Sequence, residues 1–177
     1  MLLFNGILLQ RERILLTIST NDKTIINEVT INAPVDLVWY AWTSQERVSE
    51  WFAPETVVEL REGGAYELYF IPGNRTSMNT KGCKITKLIN EKELHFTWKG
   101  PDQFEKLMNK DDELTIVKVN FLSINDNSTK VVVEHTGFKD NEDWIEAINW
   151  HEMAWSGVLD SLKSALEKGE GNLCCQP

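Results

Sequence analysis

DNEDWIEAINWHEMAWSGVLDSLKSALEK, residues 140–168, is the stretch whose reading decides the fold. On a helical wheel Trp144, Ile148, His151, Trp155, Val158, Leu162 and Leu166 recur at steps of three and four, forming one continuous stripe. Ala147, Ala154, Leu159 and Ala165 widen it, while Glu146, Asn149, Glu152, Asp160, Lys163 and Glu167 lie away from it. Both ends are marked. Asp140 or Asn141 can cap the first turn, Glu142 and Asp143 suit the positive end of the helix dipole, and Lys163 and Lys168 suit the negative end. Gly169 then stops the helix. Such a helix is about 40 Å long, enough to cross a small domain. Trp150 falls off the main stripe although it is large and apolar. It either packs against another element or lines an opening beside the core.

The totals narrow the classes. A chain of 177 residues with 42% apolar residues, seven Trp and seven Phe reads as one folded domain with a real core. A formal charge of −9 and a pI near 4.9 disfavour nucleic acid and anionic membrane as partners, because both need a basic face. Cys83, Cys174 and Cys175 form neither a disulfide framework nor a metal-ligand spacing, so a reducing cytoplasm is the expected location. Residues 1–23 mix apolar runs with Asn5, Gln10, Arg11, Glu12 and Arg13. No run reaches the ~20 apolar residues of a membrane span. This extension reads as an extra strand or a loosely attached leader, with the domain proper over 24–169 and a tail over 170–177.

Thr24–Asn32 is β-branched and predicts a strand. Pro34 suits the first turn of a helix through Trp42, and Ser44 is placed to cap a second short helix ending near Trp51 and Phe52. Strands follow at Val57–Leu60 and, after Gly63 and Gly64, at Ala65–Phe70. Pro72–Thr80 reads as a polar loop. Gly82–Ile89 and Leu94–Lys99 form a hairpin, with Leu94, Phe96 and Trp98 on one face. Lys99–Asp112 reads as a loop with a helical turn. Leu114–Ile124 and Lys130–Phe138 flank the turn-formers Asn125–Ser128. The order is strand, two short helices, about six strands in hairpins, one long helix. It predicts an α+β domain whose curved antiparallel sheet is covered by the last helix, with a cavity where the aromatic face only partly fills the grip.

The segments VTINAPVDLVWYAWTSQERVSEWFAP (29–54), EGGAYELYF (62–70), GCKITKLINEKELHFTW (82–98), TKVVVEHTGF (129–138) and AWSGVLDSLKSALEKG (154–169) together carry a resemblance. The chain resembles the activator of heat-shock protein 90 ATPase homologue domain, a branch of the START-like superfamily. That resemblance implies a helix-grip fold. It also implies a range of roles, from co-chaperone domains and polyketide cyclase-like proteins to single-domain bacterial proteins. The chain has Trp51-Phe52 where the family often has two Trp, and Ala154-Trp155 where it often has Gly-Trp. The co-chaperones carry a separate amino-terminal domain, which 23 residues do not supply.

Catalytic signals are sparse. In VVVEHTGF the period of two places His135 on the face of Val131 and Val133, and His151 lies on the helix stripe, so both imidazoles are expected to border the cavity. They are either hydrogen-bonded core histidines or groups that orient a ligand, with affinity then varying near pH ~6.5. No third ligand completes a zinc site, no glycine-rich phosphate loop follows a strand, and no nucleophile elbow is present. No catalytic residue, metal or cofactor is therefore assigned. The aromatics carry the stronger signal. Trp51, Phe52, Trp98, His135, Trp150, His151 and Trp155 are the expected ligand-binding residues, and the expected ligand is a small hydrophobic or amphipathic molecule. The rivals are a cyclase- or hydrolase-like enzyme in the same cavity and a chaperone-associated protein-binding module of the stress response.

Overall fold

The structure, a computed structural model, describes residues 22–171. The reading of the leader and the tail, including Cys174 and Cys175, therefore lies almost wholly outside the described residues. The long helix α4 runs over Glu142–Lys168. Asn141 is its cap, its side chain accepting from Asp143 N, and Gly169 closes the other end at φ 78. The sequence stripe is the buried face: Trp144, Ala147, Ile148, His151, Trp155, Val158, Leu159, Leu162 and Ala165 are all buried.

This face lies on a five-stranded antiparallel sheet ordered β1-β8-β7-β6-β5. Its strands are β1 (Asp22–Ile31), β5 (Ile85–Ile89), β6 (Glu93–Trp98), β7 (Thr115–Asn125) and β8 (Ser128–Lys139). Period-two alternation sends Leu94, Phe96 and Trp98 of β6, Val117, Val119 and Phe121 of β7, and Val131, Val133 and His135 of β8 toward the helix. His135 is in register with Ile25 on one side and Val117 on the other. The alternation then breaks. Lys23 pairs with Phe138 but Ile25 with His135, so β8 carries an extra residue, and Gly137 sits there at φ 97. This bulge turns Phe138 back into the core, where its ring packs 4.5 Å from that of His135 and 5.9 Å from that of Trp144.

Between β1 and the rest, α1 (Val35–Thr43) and α2 (Gln45–Trp51) close one end of the grip. Pro34 precedes the first helix as expected. Ser44 occupies the cap position of α2, yet its hydroxyl makes no capping bond. Trp42, Trp51 and Phe52 are fully buried here. Trp51 donates its indole N–H to Ala41 O, and Ser161 of α4 donates to Trp51 O, which fastens α2 to the long helix.

The hydrogen-bonding divides where one sheet was expected. β2 (Glu55–Val58), β3 (Tyr66–Ile71) and β4 (Asn74–Asn79) form a separate three-stranded sheet that meets the larger one at the Ala65–Lys84 bridge. The segment read as a polar loop is the strand β4. It shows no apolar period because it is an edge strand with little to bury, and it pairs with β3 at Tyr69–Asn79 and Ile71–Asn74, with an irregularity between. Within Lys99–Asp112 lie a 3-10 turn, Asp102–Phe104, and the one-turn helix α3, Glu105–Met108.

Candidate functional site

The inward-facing ends of β6 and β8 meet the middle of α4, and the sequence places a Trp and a His on each side of that junction. The result is a crossed pair of hydrogen bonds. Trp155 of α4 donates its indole N–H to His135 Nδ1 at 3.1 Å, and Trp98 of β6 donates to His151 Nε2 at 3.2 Å. An indole N–H only donates, so each accepting ring nitrogen carries no proton and the tautomers follow. His135 Nε2–H donates to Thr115 Oγ1 at 2.8 Å, and His151 Nδ1–H donates to Ala147 O at 2.7 Å. The Thr115 hydroxyl in turn donates to Trp98 O at 3.5 Å, which closes the network across β6, β7, β8 and α4. The imidazole centroids stand 5.2 Å apart.

Electrostatics agree with that bonding. Burial pushes both imidazoles down from their ordinary value, His151 to about 4 against the pull of the Ala147 carbonyl, and His135 well below it, with help from neighbouring His151. Both rings are neutral near pH 7, with both nitrogens of each already bonded inside the protein. Neither holds a spare lone pair or proton for a substrate, and the pH dependence expected near the ordinary imidazole value moves to acid. Cys83 is likewise buried, its thiol pushed up to about 11 by desolvation, which suits a small core residue. His95, on the opposite face of the sheet, pairs with Glu93 at 3.2 Å. Among the described residues no group of three or more His, Cys, Asp or Glu is placed to hold a metal ion.

A crevice opens beside this network. It is lined by Phe52, Phe70, Met78, Asn79, Trp98, Lys99, Gly100, Pro101, Trp150, His151, Ala154, Trp155 and Val158. About 450 Å³ of non-atom space lies within it, open mouth included, but the cavity proper is only about 30 Å³. The second figure governs what fits without movement, and it corresponds to about two waters. Aromatic rings fill most of the grip: Phe52, Trp98 and Trp155 stand mutually within 5.6–6.1 Å.

Of the seven residues expected from sequence, Phe52, Trp98, Trp150, His151 and Trp155 line the crevice. Trp51 and His135 do not. Trp51 is held back by its bond to Ala41, and His135 sits behind the Trp155 indole that donates to it. Trp150 is half-buried; its ring packs 6.2 Å from Phe104 and 4.9 Å from His151, and it borders both the crevice and an outer groove on α4. Both alternatives for Trp150 thus hold together. Thr115, Phe70 and Val158 were legible: Thr115 and Phe70 share the period-two faces of their strands, and Val158 follows Trp155 on the stripe. Met78 gave no signal, because it lies in the polar edge strand at φ 47.

Comparison with known proteins places this arrangement. The profile of the family described as "Activator of Hsp90 ATPase homolog 1-like protein" matches residues 32–167. Among curated proteins none matches the chain in sequence. Solved structures share the fold. A protein from Mesorhizobium loti superposes with a TM-score of 0.66 at 17% identity, covering 84% of this chain and 99% of its own. The Aha1 dimer from Colwellia psychrerythraea gives 0.65 at 22% identity, covering 84% and 99%. An HSP90 activator from Plasmodium falciparum gives 0.61 at 16% identity, covering 83% and 96%. At such identities the likeness concerns the helix-grip fold alone.

Proposed function

Since the chain belongs to the activator of Hsp90 ATPase homolog 1-like family, we propose that it is a single-domain member that binds a small hydrophobic or amphipathic molecule between its sheet and α4. The observation that supports this reading is the crevice itself, an aromatic-walled opening that runs inward from half-buried Trp150. Ligand sites are typically concave and mostly apolar, with few polar groups. The crevice has that character at a much smaller size than the ~300–1,000 Å³ of ordinary ligand sites, so entry requires the rim to part. Met78, unbranched and only partly buried, is suited to such movement. The committed imidazoles favour binding over acid-base chemistry in the same place. Native mass spectrometry of freshly purified protein is expected to show a discrete added mass that is lost on denaturation. A spectrum at the bare chain mass, with no saturable change of tryptophan fluorescence on adding apolar aromatics, counts against the reading.

A second reading, a chaperone-associated protein-binding module, is favoured by one feature. Ile145 and Met153 expose 50% and 71% of their surface on the outer side of α4, beside Trp150. Isolated apolar residues on a surface are ordinary, but three on one helix face form a patch. If this patch engages a chaperone, a pull-down from lysate at moderate salt recovers it with the parent chain and loses it with Met153→Glu. Equal recovery by both removes the patch from consideration.

A further inference from the structure

We propose that the crevice selects uncharged apolar molecules and excludes carboxylates and other anions; this rests on the ligand-binding reading above and sharpens it. The reason is that the polar groups of its wall are already committed. Trp98 and Trp155 spend their indole N–H groups on His151 and His135, and both His151 nitrogens are bonded. Asn79 Oδ1 accepts from Lys81 N, and its Nδ2 donates to Arg75 O. Gly100 N donates to Asn109 Oδ1 while Gly100 O accepts from Asn109 Nδ2, and Pro101 has no N–H. Apart from the second Asn79 Nδ2 hydrogen and the Trp150 indole N–H, both neutral, a ligand charge buried here finds no donor to replace its lost water, and a buried charge so poorly paired is strongly disfavoured.

Lys99 does not remedy this. It follows Trp98 in sequence, so strand alternation turns its ammonium to the opposite face. There Nζ lies 3.3 Å from Asp111 and beside Gly82. The half-buried Trp150 indole N–H has no protein partner among the described residues. One neutral donor at the rim can meet a hydroxyl or carbonyl oxygen but does not balance a full negative charge. The approach is also acidic, since Glu142 and Glu146 border the outer groove next to Trp150, and the chain carries −9. Anions are therefore opposed outside the crevice by repulsion and inside it by desolvation.

Naphthalene, 2-naphthoate and dodecanoate separate the possibilities, read from indole N–H signals in 15N-labelled full-length protein at pH 7. Naphthalene is expected to shift the Trp98 and Trp155 signals saturably, with 2-naphthoate and dodecanoate at least about tenfold weaker. Equal or tighter binding by either carboxylate at the same signals overturns the selectivity and leaves the ligand-binding reading standing. No response to any of the three overturns both. Met78→Trp tests the location by plugging the rim without touching the deep wall. It is expected to abolish the naphthalene response while the tryptophan signals stay dispersed; an unchanged response puts the site elsewhere and overturns the proposal.

Discussion

Trp155→Ala is expected to be the most damaging single substitution in α4, lowering stability by about 3–5 kcal/mol in urea melts. The side chain is buried in the middle of the helix, packed against Phe52 and Trp98. Its removal also leaves His135 Nδ1 without the donor that fixes its tautomer. Trp155→Phe separates the two effects. It keeps most of the ring but loses the N–H, so it should cost about 1–3 kcal/mol, the scale of one buried acceptor left unmet. Trp150→Ala should cost less than Trp155→Ala, because the Trp150 ring is half-buried and rests on Phe104 and His151 at the rim. A Trp150 variant as unstable as the Trp155 variant would remove the distinction between deep wall and rim.

Acid is the second large lever. His151 has a folded value of about 4, against an ordinary value of 6.5, and His135 is depressed in the same direction. The unfolded chain therefore binds protons that the folded one refuses. The stabilising contribution is fully present above about pH 6.5 and is lost as pH falls toward 4. At pH 5 His151 alone removes about 2 kcal/mol and His135 acts in the same direction, before most carboxylates begin to titrate. Backbone bonding from Gly73 and then Arg75 hold Glu55 below the ordinary carboxylate value, and Lys87 and Lys139 do the same for Glu93 and Glu113, so their contribution is lost at lower pH. Urea midpoints at pH 7 and pH 5 should therefore differ clearly at constant ionic strength. Equal midpoints would mean that the two rings are not held neutral in the core.

The large elements were legible because their signals are periodic. The stripe from Trp144 to Leu166 specified α4 nearly to the residue, and the alternation in Leu94–Trp98 and Val131–His135 specified which side chains face it. The Gly137 bulge was not legible, since it exists only as a mismatch between β8 and its partner β1, which the order of residues in either strand does not carry. Strand β4 was missed for a related reason: Asn74, Arg75, Thr76 and Ser77 satisfy an edge position through side-chain and turn bonding, with no buried face to imprint a period. At the site, sequence placed both histidines on the right faces. It did not reveal that each faces a tryptophan donor from another element, and that pairing is what changes them from ligand groups into internal acceptors.

The ladder between β1 and β8 also sets the timetable on which the chain can become a protein. Ala33 O accepts from Thr129 Oγ1, 96 residues later, and Asn32 N donates to Glu167, 135 residues later. The first described strand therefore waits for the last, and α4, which covers their apolar face, is later still. Closing such separations costs loop entropy before any contact offsets it, so assembly is governed by non-local contacts and is slow for a domain of this size. During synthesis, Trp39, Trp42, Trp51, Phe52, Phe96 and Trp98 must emerge without their helical cover, an interval in which a nascent chain depends on others to stay apart from its neighbours.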